Sequence, residues 1–211
     1  MKKALIILAV SLSLPIVSNA QARSTTRPVK KAQTSTIVKE AIAPPSANGK
    51  FKFISRLGFY NDVDEKKYVI ISAPGKTAGE IKSSVMSSMS SMYSNPSKVI
   101  STLGDNIINV NGFAQNVFEK PFAGNTQYFS FSYNIRIEIK DGKIKLDAPN
   151  FSGITRREVY NGYTIDTRTV NEMDMLGDLA SSDEAQQLKV TALFNAHINK
   201  IITGLSSSSD W

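Results

Sequence analysis

The clearest pattern of hydrophobic and polar positions lies between residues 129 and 140. Apolar and aromatic side chains occupy the odd positions of this segment, and polar side chains occupy the even positions. A period of two is typical of a β-strand with one buried face. Asp141-Gly142 then favours a two-residue hairpin turn, and KIKLDA follows as the returning strand. The pattern therefore predicts an antiparallel hairpin.

The register of this hairpin follows from the length of its turn. A two-residue loop pairs Lys140 with Lys143, which places Ile139 opposite Ile144 on the apolar side. On the polar side the same register places opposite charges across from each other, and each such pair contributes about 0.2–1 kcal/mol. The predicted polar pairs are Glu138 with Lys145 and Arg136 with Asp147.

A helical period covers residues 79–96, GEIKSSVMSSMSSMYSNP. Thr77 stands three positions before Glu80, which is the spacing of a capping box. At about 100° per residue, the large apolar side chains fall on one stripe and six serines fall on the other side. Pro96 disfavours continuation of the helix. The predicted core-facing stripe consists of Ile81, Val85, Met86, Met89, Met92 and Tyr93.

The three methionines at a spacing of three also raise the question of a metal site, because thioethers select Cu(I). Ile81 and Val85 share the stripe and have no use in such a site. Methionine is also an adaptable filler of protein cores. We therefore interpret the stripe as a packed face, predict no metal and no cofactor, and keep copper as an alternative that is tested at Met89.

The remaining segments complete an α+β pattern. Tyr68 to Ser72 is predicted to be a strand, and KVISTLGDNIINVNG two short strands with a turn near Asp105-Asn106. A further hairpin is predicted around Asn161-Gly162, and a C-terminal helix over about 182–204, with Ser181 and Glu184 as a capping box. The expected fold is an antiparallel sheet with two helices packed on one face, in the order β-α-β-β-β-β-α.

Two motifs within this order of elements resemble the family called domain of unknown function 4468. They are SAPGKTAGEI at 72–81 and IRIEIKDGKIKLDAPNF at 135–151. The resemblance covers about residues 60–155. It implies a secreted protein of a Bacteroidetes-type bacterium with a TATA-binding-protein-like fold. It implies no activity and no catalytic residue.

The N-terminus predicts export. Lys2 and Lys3 precede an apolar run from Ala4 to Leu14, and small residues near Ala20 offer a cleavage site, the three parts of a signal peptide over residues 1–20. The apolar run is too short to span a bilayer, and no later segment approaches transmembrane length. Without cysteine, the chain forms no disulfide. We expect a periplasmic or extracellular protein, cleaved near Ala20.

The excess of positive charge lies mainly outside the predicted domain. The chain has 25 Lys and Arg against 18 Asp and Glu, but residues 51–211 have 17 of each. The sequence therefore predicts a basic flexible linker over 21–50, a single domain over 51–205 and a flexible tail over 206–211. Nucleic-acid affinity depends mainly on clustered cations, so the balanced domain excludes a nucleic-acid partner.

The sequence contains no recognisable catalytic motif. His197, the single histidine, lies in the apolar stripe of the last helix and is interpreted as a hydrogen-bonded core residue. Asp62, Asp64 and Glu65 lack the spacing and glycine of a calcium loop and are interpreted as a solvated turn. A non-catalytic binding module of the cell envelope or extracellular space is favoured. The alternative is a hydrolase with a site of dispersed carboxylates. It stays open because a sequence does not show which carboxylates lie close together in space.

A binding surface is predicted on the face of the sheet that the helices leave open. The odd positions of 129–139 point toward the helices, so the even positions point away. Asn134 and Arg136 are the predicted binding residues, for an unknown protein or glycan partner. The residues expected on this open face are Ser130, Ser132, Asn134, Arg136, Lys145 and Asp147.

Overall fold

The computed structural model describes residues 42–207, so the predicted signal peptide, linker residues 21–41 and tail residues 208–211 lie outside the described residues. The four helices of the described region are α1 (Ala78–Ser90), α2 (Pro96–Val99), α3 (Glu172–Ala180) and α4 (Glu184–Ser207). Its strands are β1 (Ser46–Ala47), β2 (Phe51–Phe53), β3 (Phe59–Asn61), β4 (Tyr68–Ser72), β5 (Ile100–Leu103), β6 (Ile107–Phe122), β7 (Asn125–Lys140), β8 (Lys143–Asp147), β9 (Asn150–Tyr160) and β10 (Tyr163–Thr169).

The main sheet of the described region is antiparallel and is centred on β7. Its strands run in the order β1-β4-β8-β7-β6-β5, and β9 also pairs with β7 and carries β10 on its other side. The second edge of β7 is shared, because β9 pairs with residues 126–134 and β8 with residues 137–140. The predicted α+β class, an antiparallel sheet with helices, is confirmed.

The element order of the described residues is longer than the predicted β-α-β-β-β-β-α. Both predicted hairpins form, and Ile139 faces Ile144 as expected. The structure adds β1 to β3 before β4 and the short helices α2 and α3. The second predicted hairpin forms β9 and β10, which follow β8 and precede α3. Ser46 and Ala47, in the segment predicted to be linker, pair with β4, so ordered structure begins before residue 51.

The C-terminal helix begins with a different cap from the predicted one. Ser181 terminates α3, with its backbone N–H bonded to Gly177 O, and does not cap α4. Asp183 takes that role, because its Oδ1 accepts from the backbone N–H of Gln186 at 2.9 Å. α4 also extends to Ser207, into the predicted tail. The sequence pattern was ambiguous because Ser181 and Asp183 are both short polar residues of the kind that can cap the N-terminus of a helix.

One face of the sheet forms the core with the helices. The odd positions of β7 are buried, as predicted, and α1 and α4 pack on this side. Phe194 of α4 contacts Phe131 and Tyr133 of β7, with ring centroids 6.5 Å and 5.4 Å apart. α3 adds Met175, Leu176 and Leu179 to the same core. The even positions of β7 are left on the opposite face.

The helix α1 buries more than its apolar stripe. The capping box between Thr77 and Glu80 forms, and Ile81, Val85 and Met89 are buried. Ser88 is buried too, because the serine side of α1 packs against α4 at Gly204. A Cβ added at Gly204 would overlap Ser88 Oγ. The serines are therefore not simply a solvated face, since their small side chains allow the two helices to approach closely.

Candidate binding surface

The open face of the sheet is positioned by three adjacent strands, β6, β7 and β9. Their residues that lie directly opposite each other share one face. One row crosses the sheet as Asn111, Asn134 and Asn150, and the next row crosses it as Phe113, Ser132 and Ser152. The exposed side chains in these rows include the amides of Asn111 and Asn150 and the ring of Phe113.

Asn134, one of the two predicted site residues, lies at the centre of the asparagine row. Its Nδ2 donates to Asn111 Oδ1 at 2.8 Å across the β6–β7 pair. An asparagine amide offers one acceptor and two donors, so this single bond leaves further hydrogen-bonding capacity in the row. The structure therefore places Asn134 between Asn111 and Asn150 in a row of neutral amides.

Arg136, the other predicted site residue, lies two positions further along β7 and faces Asn109 of β6. Its Nε donates to Glu138 Oε1 at 2.9 Å, and Lys145 pairs with Asp147 at 2.9 Å. The predicted attraction between Arg136 and Asp147 is thus replaced by pairs along each strand. The reason is that the β7–β8 ladder ends at the pair of Ile137 with Leu146.

Ser130 does not contribute to an open surface, which corrects its predicted place on the open face. Only 9% of the residue is exposed. Its Oγ accepts from the backbone N–H of Asn116 at 2.9 Å. Asn116 lies where the β6–β7 register shifts, and its φ of 48° is left-handed. A β-bulge of this kind is invisible to a simple count of alternating residues.

Phe113 is a surface residue that the sequence reasoning missed. Its side chain is 64% exposed, and it lies opposite Ser132 on the open face. The next residue toward the N-terminus, Gly112, points to the core side, where a Cβ would overlap the Tyr133 ring. The sequence signal for its exposure was the alternation of Asn109, Asn111 and Phe113 with positions that are buried in the structure.

His197 is a core residue, as predicted. It is 1% exposed, and its Nδ1 lies 3.1 Å from Leu193 O. Since a carbonyl oxygen only accepts, Nδ1 carries the proton, and Nε2 accepts from the Tyr93 hydroxyl at 2.6 Å. Burial lowers the pKa of His197. Burial also raises the pKa values of Tyr93 and Tyr133, whose hydroxyls lie 3.3 Å apart.

The acidic turn and the methionine stripe also lie where they were predicted. Asp62 Oδ1 accepts from the backbone N–H of Lys50, and Asp64 pairs with Lys66 at 3.0 Å. Met89 is fully buried, while Met86 and Met92 pack at the margin of the core. Between residues 42 and 207, no three His, Asp or Glu side chains are grouped to hold a metal ion.

No helix in the described part of the chain is both long enough and apolar enough to cross a membrane. Comparison with family models and with curated proteins gives no match.

Comparison with solved structures gives two informative matches. One is a TBP-like protein from Parabacteroides distasonis, with 12% identity over 64% of this chain and 90% of that chain, and a TM-score of 0.44. Another is a DUF4468 family protein from Bacteroides ovatus, with 14% identity over 69% of this chain and 90% of that chain, and a TM-score of 0.39. Their names agree with the predicted resemblance, and at this level of similarity no function is transferred from them.

Proposed function

We propose that this protein is an exported, non-catalytic binding module that binds a glycan on the open face of its sheet. The observation that carries the proposal is the juxtaposition of the asparagine row with the exposed ring of Phe113. The amides of Asn111, Asn134 and Asn150 supply donors and acceptors that complement hydroxyl groups. An exposed aromatic ring beside them supplies a flat apolar surface for the C–H face of a sugar. Export is supported by the signal-peptide pattern of residues 1–20.

The charges on this face favour a neutral ligand over a strongly charged one. Arg136 is paired with Glu138, and Lys145 is paired with Asp147. These side chains therefore neutralise each other locally, at the border of the asparagine row. A partner recognised mainly by its charge would instead require an excess of positive or of negative side chains on this face.

The cavities favour a binding module over the hydrolase with dispersed carboxylates. Four cavities formed by residues 42–207 have carboxylates in their lining, and each of these four also has Lys or Arg there. Asp178, for example, pairs with Lys120 at 2.9 Å. The hydrolase alternative predicts turnover in a substrate screen with purified protein.

The test compares variants of the labelled protein on an array of bacterial and host glycans. Wild-type protein should give a saturable signal, and both Phe113→Ala and the double variant Asn134→Ala/Arg136→Ala should abolish it. The melting temperature should stay within about 5 °C, because these side chains lie outside the core. Asn199→Ala/Lys200→Ala removes the same two kinds of side chain from α4 and should bind like wild type.

Equal binding by the folded double variant, or no signal from wild type, would refute the glycan proposal. Cross-linking the tagged protein in its own cells then separates the remaining partners. Capture of a protein that requires Asn134 and Arg136 would keep the face as the site and change the ligand class. Capture that is unchanged in the double variant would instead indicate the basic segment 21–50 as the binding site.

A further inference from the structure

A second surface feature lies on the helix side of the sheet, away from the asparagine row. A cavity of about 680 Å³ lies between α3 and the strands β6, β9 and β10. Four cationic side chains from four segments line it, and we call it the basic cavity. These side chains are Arg56, Lys120, Arg156 and Arg168.

The carboxylates of the basic cavity are already engaged. Asp178 accepts from Lys120 Nζ at 2.9 Å and lies 3.6 Å from Arg156 Nη1. Asp174 accepts from the Asn171 side chain at 2.8 Å, within the N-terminal cap of α3. The lining holds four cations and two carboxylates. Arg168 pairs with Asp166 outside the lining and Lys120 pairs with Asp178, so Arg56 and Arg156 carry the excess of positive charge.

Arg56 is the cation with the most unused hydrogen-bonding capacity. Within residues 42–207 it forms neither an ion pair nor a side-chain hydrogen bond, although its guanidinium borders the cavity. Its Nε lies 3.5 Å from the place where a side chain on Gly177 would begin. A Cβ at this position would be in ordinary van der Waals contact with the guanidinium, so Arg56 lies directly beside the backbone of α3.

Arg156 faces the same cavity from the sheet. It lies opposite Phe129 in the β7–β9 pair, on the core side, and only 22% of its side chain is exposed. A single 3.6 Å contact with Asp178 leaves most of its five N–H donors available. Arginine binds carboxylate and phosphate groups through two parallel hydrogen bonds. Arg56 and Arg156 line the same cavity, and both have donors available for an oxyanion.

We propose that the basic cavity binds an oxyanion, a carboxylate or phosphate group carried by a small molecule, with Arg56 and Arg156 as its principal ligands. The first turn of α3, at Asn171 to Asp174, also lines the cavity. The partial positive charge of a helix N-terminus adds to the same field. This site is independent of the glycan face, because Arg156 and Asn134 lie on opposite faces of the sheet.

The experiment titrates the intact protein with inorganic phosphate and with citrate, in a buffer of low ionic strength, and follows backbone amide shifts by NMR. Saturable shifts confined to residues 168–181 and to the segments around Arg56, Lys120 and Arg156 are expected. Arg56→Gln should weaken binding about tenfold or more, because charge-assisted hydrogen bonds are among the stronger ones. Arg156→Gln should have a similar effect. Tighter binding of phosphate assigns a phosphorylated ligand, and tighter binding of citrate assigns a carboxylate.

Lys143→Gln is the control, since it removes one positive charge from an exposed position next to the β7–β8 turn, outside the lining of the basic cavity. It should bind both anions like wild type. Arg56→Gln should keep the wild-type melting temperature, because Arg56 has no polar partner in the described structure. Equal weakening by Lys143→Gln would show a general charge effect and overturn the proposal. Absence of saturable shifts, or shifts located elsewhere, would overturn it as well.

Discussion

Met89 lies at the centre of the apolar stripe of α1 and has no exposed surface. Met89→Ala should lower the free energy of unfolding by about 2–5 kcal/mol, because it removes buried atoms and leaves a cavity. Met89→Leu conserves volume and should cost less than about 1.5 kcal/mol. Urea denaturation measures both changes.

Met173→Ala is the control, because Met173 is 68% exposed and should change stability by less than about 0.5 kcal/mol. The copper alternative makes the opposite prediction for Met89. Stoichiometric Cu(I) binding that Met89→Leu abolishes would contradict the packing interpretation.

At the scale of the element, the contact between α1 and α4 depends on small side chains. Gly79→Ala in α1 meets no atom within 4 Å and should stabilise the protein by up to about 1 kcal/mol through helix propensity. Gly204→Ala in α4 gains the same propensity, but its Cβ overlaps Ser88 Oγ. Thermal unfolding should therefore show Gly204→Ala to be less stable than Gly79→Ala by about 1–3 kcal/mol.

The double variant Ser88→Ala/Gly204→Ala should recover part of this difference, because it removes the overlapping hydroxyl. Equal stabilisation by both glycine substitutions would mean that α1 and α4 do not approach closely at Ser88.

At the scale of the whole molecule, His197 links stability to pH. Its folded-state pKa is lowered by burial, whereas the unfolded chain has the ordinary value of about 6.5. The unfolded state therefore binds a proton first as the pH falls. The free energy of unfolding should decrease below about pH 6.5, with a slope of up to about 1.4 kcal/mol per pH unit from this group.

Urea denaturation between pH 7.5 and 5.5 measures this slope. The effect can be assigned because the chain has one histidine. His197→Gln keeps a side-chain amide near Tyr93 and removes the titration, so its slope in this range should be close to zero. The same slope in both proteins would contradict the assignment to His197.

The sequence by itself determined the elements whose signals are local. The hairpin at Asp141-Gly142 was predictable in register, because turn length and a period of two leave one pairing that buries the isoleucines. The helix α1 was predictable from its capping box and its stripe. The position of Asn134 and Arg136 on the open face followed from the same alternation, which assigns each side chain of β7 to a face. Their role in binding is a proposal.

Only the tertiary structure decided the features that depend on distant pairing. β9 adds Asn150 and Ser152 to the open face by pairing with the edge of β7 that β8 leaves free. The bulge at Asn116 removes Ser130 from that face. The basic cavity joins Arg56 to Arg156, one hundred positions apart in the chain. Local periodicity carries no information about which strand edges meet, because that choice depends on burying the core as a whole.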